Sequence, residues 1–167
     1  GVLYRDHLCG TLSGRRLQGL RVVLDCANGA AAMVAPDVFE SLGARVTPLS
    51  CDPDGCNIND RCGSANPAQL VAAVQEEAAD LGLAFDGDAD RLVAVDHTGS
   101  VADGDVLLAL FASDLAAQGR LAGNAVVTTV MSNLGFRLAM AQRGVAVREV
   151  AVGDRAVLET LEAEGLV

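Results

Sequence analysis

The chain contains no lysine and no tryptophan. All 12 of its basic residues are arginines, so a Schiff-base lysine and a P-loop lysine are both excluded within this stretch. Aromatic residues are few, four Phe and one Tyr, so a core must be built from Ala, Val and Leu. No apolar run approaches the length of a membrane span, because Gly, Asp or Gln interrupts the longest ones. The start, Gly1-Val-Leu-Tyr-Arg-Asp6, carries charge where a signal peptide needs an apolar segment. It also lacks an initiating Met, which predicts a piece of a longer or processed protein. Positive charge is short as well. The 12 Arg face 22 Asp and Glu, and the net charge of −10 argues against a nucleic-acid partner. Cysteines number five, Cys9, Cys26, Cys51, Cys56 and Cys62, with no C-x-x-C pair and no partnering His near the last three. Reduced thiols in a cytoplasmic protein are expected, rather than a zinc site or a disulfide framework.

What is present is a chain of 167 residues, 51% hydrophobic, with room for one ordinary domain or two small ones. Val2 to Leu8 predicts a short lead-in helix, joined by a Gly/Ser/Arg connector to Gly19. Strands are predicted over 20–26, 44–49, 81–85, 92–96 and 100–102, the last two flanking the hairpin signal His97-Thr-Gly99. Helices are predicted over 29–42, stopping at Gly43, and from Pro67 to about Ala79. Between them Ser50 to Asn66 is turn-rich and aperiodic, a length that in a compact domain signals function or disorder. A second cycle follows: helix 106–117, strand 125–130, helix 134–142, strand 145–150, helix 154–164. The order predicts an α/β protein of two consecutive three-layer units with mixed sheets covered by helices, the second unit truncated. The expected division is a 1–19 connector from a preceding domain, a 20–101 unit and an incomplete 102–167 unit.

Chemistry concentrates in Leu81-Gly-Leu-Ala-Phe85-Asp86-Gly-Asp88-Ala-Asp90-Arg91. An apolar strand delivers three carboxylates at i, i+2 and i+4, and an arginine follows at once. Three anions so close repel, and a cation among them keeps all three ionised. Oxygen-only ligands suit a hard ion such as Mg²⁺. Arg91 adds a planar donor fork of the kind a phosphoryl group takes. An exposed Asp-Gly-Asp turn is a weaker explanation, because ligands in α/β folds bind at the C-terminal ends of strands. An EF-hand fails, since its Gly and Glu positions would fall on Arg91 and His97. An aspartyl-nucleophile phosphatase is disfavoured by the absence of lysine, though not removed.

These residues resemble the α-D-phosphohexomutases, and in particular the phosphoglucosamine mutase branch. The metal loop Asp86-Gly-Asp-Ala-Asp-Arg91 carries the superfamily resemblance. The ordered segments Leu24-Asp-Cys-Ala-Asn28-Gly, Asn57-Ile-Asn59, Cys62-Gly-Ser64, Thr129-Val-Met-Ser-Asn-Leu-Gly135 and Val152-Gly-Asp-Arg155 extend it from about Leu17 onward. The resemblance implies domain two and most of domain three of a four-domain enzyme. It further implies Mg²⁺ on Asp86, Asp88 and Asp90, with Arg91 facing the transferred phosphoryl group. The substrate would be a phosphosugar, glucosamine phosphate, and the partners the first and fourth domains of the same chain. The family's Ser-His-Asn-Pro phosphoserine loop does not occur here, so no serine of this stretch is a catalytic nucleophile. On the substrate side the resemblance places Gly153, Asp154 and Arg155. Asp154 read alone is equally a helix cap. Ser132 and Asn133 are either a cap for the helix that follows or sugar contacts. Asn57, Asn59 and Ser64 either shape the cleft or satisfy turn backbone, and Arg61 either meets a phosphate or balances Asp60. Two alternatives stay open: a phosphomannomutase/phosphoglucomutase of the same superfamily, and a metal-binding module without catalysis.

Overall fold

A computed structural model describes residues 1–166; Val167, the last residue of the predicted second unit, lies outside the described residues. The chain divides into two compact units, Gly1–Ala102 and a second beginning at Asp103. Among the described residues no helix is long and apolar enough to cross a membrane.

The first unit runs α1 (Val2–Thr11), β1 (Arg21–Asp25), α2 (Ala35–Ser41), β2 (Arg45–Leu49), α3 (Ala68–Glu76), β3 (Leu81–Phe85), β4 (Leu92–Asp96) and β5 (Val101–Ala102). Its five strands lie in the order β2-β1-β3-β4-β5. β1 is parallel to β2 and β3, whereas β3, β4 and β5 are antiparallel, so this sheet is mixed. β1 is covered on both faces. Val22 and Leu24 pack with Ala31, Ala35 and Phe39, while Val23 packs with Leu70 and Val74 of α3 and with Val95. Double coverage is why β1 reads as a continuous apolar run instead of an alternating one. Pro48 is tolerated in β2 because that strand forms the sheet edge.

The helix predicted over 29–42 is two pieces. A 3-10 turn spans Ala30–Met33, Val34 leaves helical geometry at φ −132°, and α2 then begins. Pro36 accounts for the break: it has no N–H to give Ala32 O, and its ring would clash with that carbonyl in a continuous helix. α3 is also shorter than predicted. Pro67 caps it, and it closes through Ala78 at φ +47°, with Ala79 N donating to Val74 O at 2.9 Å. That is a Schellman-type exit with Ala where Gly is usual.

The second unit runs α4 (Gly104–Ala117), β6 (Ala125–Thr129), α5 (Leu134–Gln142), β7 (Ala146–Val150) and α6 (Asp154–Glu164). α4 starts two residues before its predicted position because Asp103 caps it, accepting from Val106 N at 3.0 Å. Among the described residues the sheet of this unit is the parallel pair β6–β7 alone, with no antiparallel strand to make it mixed. Val126, Phe136, Met140, Ala112 and Val145 form its core. α6 begins one residue earlier than a cap at Asp154 requires. Gly153, at φ +130°, is the cap, and Asp154 lies inside the first turn without capping it.

Candidate metal centre

The loops after β1, β2 and β3 all leave the same edge of the first sheet, because these three strands are parallel. Ligands in α/β sheets gather at that edge. The acidic run itself is the hairpin loop Asp86–Arg91 between β3 and β4, whose flanking residues Phe85 and Leu92 pair directly. Ala89 takes φ +61° and donates its N–H to Asp86 O at 3.1 Å, which folds the loop back on itself.

This turn brings one carboxylate oxygen from each of Asp86, Asp88 and Asp90 within 4.8 Å of one another. Asp86 is 2% exposed, whereas Asp88 and Asp90 face solvent. Arg91 holds Asp86 twice, its N–H donating to Oδ1 at 3.1 Å and Nε to Oδ2 at 2.7 Å, and it stands 3.5 Å from Asp90 Oδ1. Burial pushes the Asp86 carboxyl up, but the backbone and guanidinium hydrogen bonds and the charge of Arg91 outweigh it, so it sits below the ordinary range. Asp90 is pushed the other way, first by the charge of Asp88, then by desolvation and by Asp86. One arginine cannot balance three carboxylates. The oxygen donor set, one member pinned and two open to solvent, fits a hard divalent cation.

The loop is braced from two sides. Gly87 O accepts from Ala30 N at 2.8 Å, and a Cβ on Gly29 would lie well inside contact with that carbonyl and 2.7 Å from Gly87 Cα. From the long loop, Ser64 N donates to Phe85 O at 2.8 Å, and a Cβ on Gly87 would meet Ile58 at 2.6 Å and Asn59 Nδ2 at 2.8 Å. Thus Asn59 and Ser64 lie against the acidic turn. Asn57 and Asn28 order the long loop itself: Asn28 Nδ2 donates to Asn57 O at 3.4 Å, and Asn28 Oδ1 accepts from Asp52 N at 3.1 Å. Arg61 is 85% exposed at its side chain and stands 3.5 Å from Asp60 Oδ1. Residue type alone does not single out Asp25, yet it is fully buried where β1 meets this edge. A charged residue inside the run Val22-Val-Leu-Asp25-Cys26 is the signal that could have found it, since a strand buried on both faces must satisfy such a group.

In the second unit, Ser132 and Asn133 follow β6, and Gly153, Asp154 and Arg155 follow β7, so both groups leave the same edge of that parallel pair. Asn133 caps α5, accepting from Phe136 N at 2.9 Å, while its own N–H donates to Asp105 Oδ2 at 2.8 Å. Ser132 Oγ is hydrogen-bonded to Thr128 Oγ1. Arg155 reaches along α6 to Glu159 at 2.7 Å, with its side chain 91% exposed.

Two family models match in succession. Residues 3–99 match the α/β/α domain II of phosphoglucomutase/phosphomannomutase, and residues 103–167 match domain III. The chain belongs to the phosphoglucomutase/phosphomannomutase family. It is 55% identical over 164 residues to a phosphoglucosamine mutase of Acidothermus cellulolyticus, covering 98% of this chain and 35% of that protein. It is 55% identical over 162 residues to a phosphoglucosamine mutase of Desulforudis audaxviator, covering 97% of this chain and 36% of that protein. The chain thus spans about a third of the length of these curated relatives. Among solved structures, a phosphoglucomutase/phosphomannomutase family protein of Burkholderia thailandensis superposes with a TM-score of 0.82 at 27% identity, covering 97% of this chain and 36% of that one. The relatives are isomerases, and this phosphohexomutase chain carries two of their domains.

Proposed function

We propose that this chain serves a phosphoglucosamine mutase, which interconverts glucosamine 6-phosphate and glucosamine 1-phosphate through an enzyme phosphoserine and a bisphosphate intermediate. The observation that carries this reading is the Asp86–Asp88–Asp90 cluster with Arg91 beside it, at the strand edge of a chain 55% identical to proteins of that name. Asp86, Asp88 and Asp90 would hold Mg²⁺. Bound there, the ion would supply charge neutralisation at a phosphoryl oxygen. Arg91 donates through Nε to Asp86, and its remaining guanidinium N–H groups would serve an incoming anion. The serine would come from a part of the relatives that this chain does not cover, since its Ser-His-Asn-Pro loop is not in this sequence. Gly153, Asp154, Arg155, Ser132 and Asn133 stand as substrate-side candidates. Product glucosamine 1-phosphate would feed amino-sugar nucleotide and cell-wall precursor synthesis, in the cytoplasm.

The test is a mutase assay on the full-length protein with Mg²⁺, offering glucosamine 6-phosphate, mannose 6-phosphate and glucose 6-phosphate at equal concentration. A strong preference for glucosamine 6-phosphate is expected. Preference for a neutral sugar phosphate would overturn the substrate and leave the phosphoryl-transfer reading. Turnover of none of the three would overturn the mutase reading.

A further inference from the structure

Asp25 is 0% exposed, and its two carboxylate oxygens go to different loops. Oδ1 accepts from Ala27 N at 3.0 Å and Oδ2 from Gly63 N at 2.8 Å. Both bonds continue toward the acidic turn. Gly63 is held at φ +72° against Phe85 O, where a Cβ would stand 2.5 Å from that carbonyl, and the next residue, Ser64, donates its N–H to the same oxygen. Phe85 is the residue before Asp86. On the other branch, Ala27 is held at φ +53° and its carbonyl accepts from Asn59 N at 2.9 Å, which seats Asn59 against Gly87. The same turn leads through Gly29 to Ala30, whose N–H captures Gly87 O.

We infer that Asp25 is a positioning residue for the metal loop: one buried carboxylate ties the loops after β1 and β2 together so that they clamp Phe85 to Gly87. The inference rests on the metal reading proposed above. A buried carboxylate is costly unless its oxygens are bonded, and here both bonds are to backbone N–H groups that have no other acceptor among the described residues. Asparagine preserves the shape but turns an NH₂ toward one of those N–H donors, leaving it unpaired. The loops should then loosen around the metal loop even though Asp25 itself never touches the ion.

The experiment is Mn²⁺ binding to this chain, followed by electron paramagnetic resonance, in the parent, Asp25→Asn and Asp80→Asn. Asp80 is a fair control, because it accepts from Arg21 N at 2.8 Å at the opposite end of β1. About tenfold weaker Mn²⁺ binding is expected in Asp25→Asn, and unchanged binding in Asp80→Asn. Equal affinity in Asp25→Asn and the parent would overturn the inference while keeping the metal site. No Mn²⁺ binding by the parent would overturn the metal site and the inference with it. Should Asp25→Asn fail to fold, amide hydrogen exchange in the parent decides instead. Coupling is reciprocal, so Mg²⁺ must slow exchange at Ala27 and Gly63 if these amides help to seat the loop. Unchanged exchange there on saturation with Mg²⁺ would overturn it.

Discussion

Arg91 grips Asp86 with its backbone N–H and its guanidinium at once, and the pair closes the hairpin loop between β3 and β4. The backbone bond survives replacement of the side chain at position 91 by anything but proline; the guanidinium bond does not. A lysine ammonium is a point charge without the planar fork, so Arg91→Lys loses the directed contact at 2.7 Å. With that contact gone, burial regains weight and the Asp86 carboxyl should titrate at higher pH than in the parent. Carboxyl-carbon NMR over a pH series reads this directly, and an unmoved Asp86 titration would contradict the account. In the full-length enzyme the same substitution is expected to lower turnover on the order of a hundredfold, the scale set by removing one donor to a reacting anion.

Asp88→Asn separates a metal site from a solvated acidic turn. Asp88 is exposed and, among the described residues, its side chain makes no hydrogen bond that holds the loop, so the substitution should leave the thermal midpoint close to the parent's. It removes one of the three carboxylates that converge within 4.8 Å, and Mn²⁺ affinity should fall on the order of tenfold or more. Calorimetric titration with Mn²⁺ gives the answer, and equal affinity in the two proteins would remove the metal assignment.

Much of this was legible in the sequence because the decisive signals are local. Three Asp at alternate positions after an apolar strand, with Arg91 next, announce the cluster before any coordinates. The strands and helices of both units follow largely from periodicity, with Gly43 and Pro67 as punctuation. The break at Val34 is hidden in the sequence because the apolar spacing of 29–42 outweighs a single Pro36. Asp154 offers a cap and a substrate contact equally by residue type, whereas Gly153 at φ +130° takes the cap position that few other residues can adopt. The bracing of the acidic loop is not legible at all. It joins Asp25, Gly29, Asn59 and Gly63 to residues near 86, and contacts so distant along the chain leave no periodic trace.

Gly29 offers a steric test of that bracing. Its backbone, at φ −113° and ψ −155°, is one any residue can adopt, so conformational freedom is not the reason for glycine. The reason is room: a Cβ would press on the carbonyl of Gly87. Gly29→Ala must therefore displace the Ala30 N to Gly87 O bond, at a cost of about 1–3 kcal/mol typical of overpacking. Gly104→Ala is the comparison, since none of the described residues beyond its own helix turn lies within 4 Å of its Cβ position. Chemical denaturation should rank Gly29→Ala clearly below Gly104→Ala, and equal stability of the two would show that the clamp is slack.

The cysteines should separate by depth. Cys56 is exposed, whereas Cys26 and Cys62 are buried. Desolvation, assisted by the neighbouring Cys51, pushes the Cys26 thiol well above its ordinary range, which leaves almost no thiolate at neutral pH. Iodoacetamide under native conditions is expected to modify Cys56 first and to reach Cys26 only on unfolding. Mass spectrometry of the labelled peptides checks the order, and early labelling of Cys26 would mean that the β1 edge opens readily.

Asp96 gives the pH prediction. It turns the β4–β5 hairpin by accepting from Thr98 Oγ1 at 2.6 Å, Thr98 N at 2.8 Å and Ser100 N at 3.0 Å. The Thr98 hydroxyl, then the backbone N–H groups of Ser100 and Thr98, hold its carboxyl below the ordinary value. In the unfolded chain these donors are gone and the carboxyl returns to about 3.9. A depressed folded value means the unfolded chain takes up the proton first as pH falls. The stabilising contribution is therefore complete above the unfolded value and disappears as pH drops through the lower folded one. Asp96→Asn removes that titration. Its stability measured by urea unfolding should lie below the parent's at pH 6, and the difference should shrink steadily over the interval below about pH 4. A gap that stays constant across that interval would mean that the hairpin contacts do not depend on the charge of Asp96.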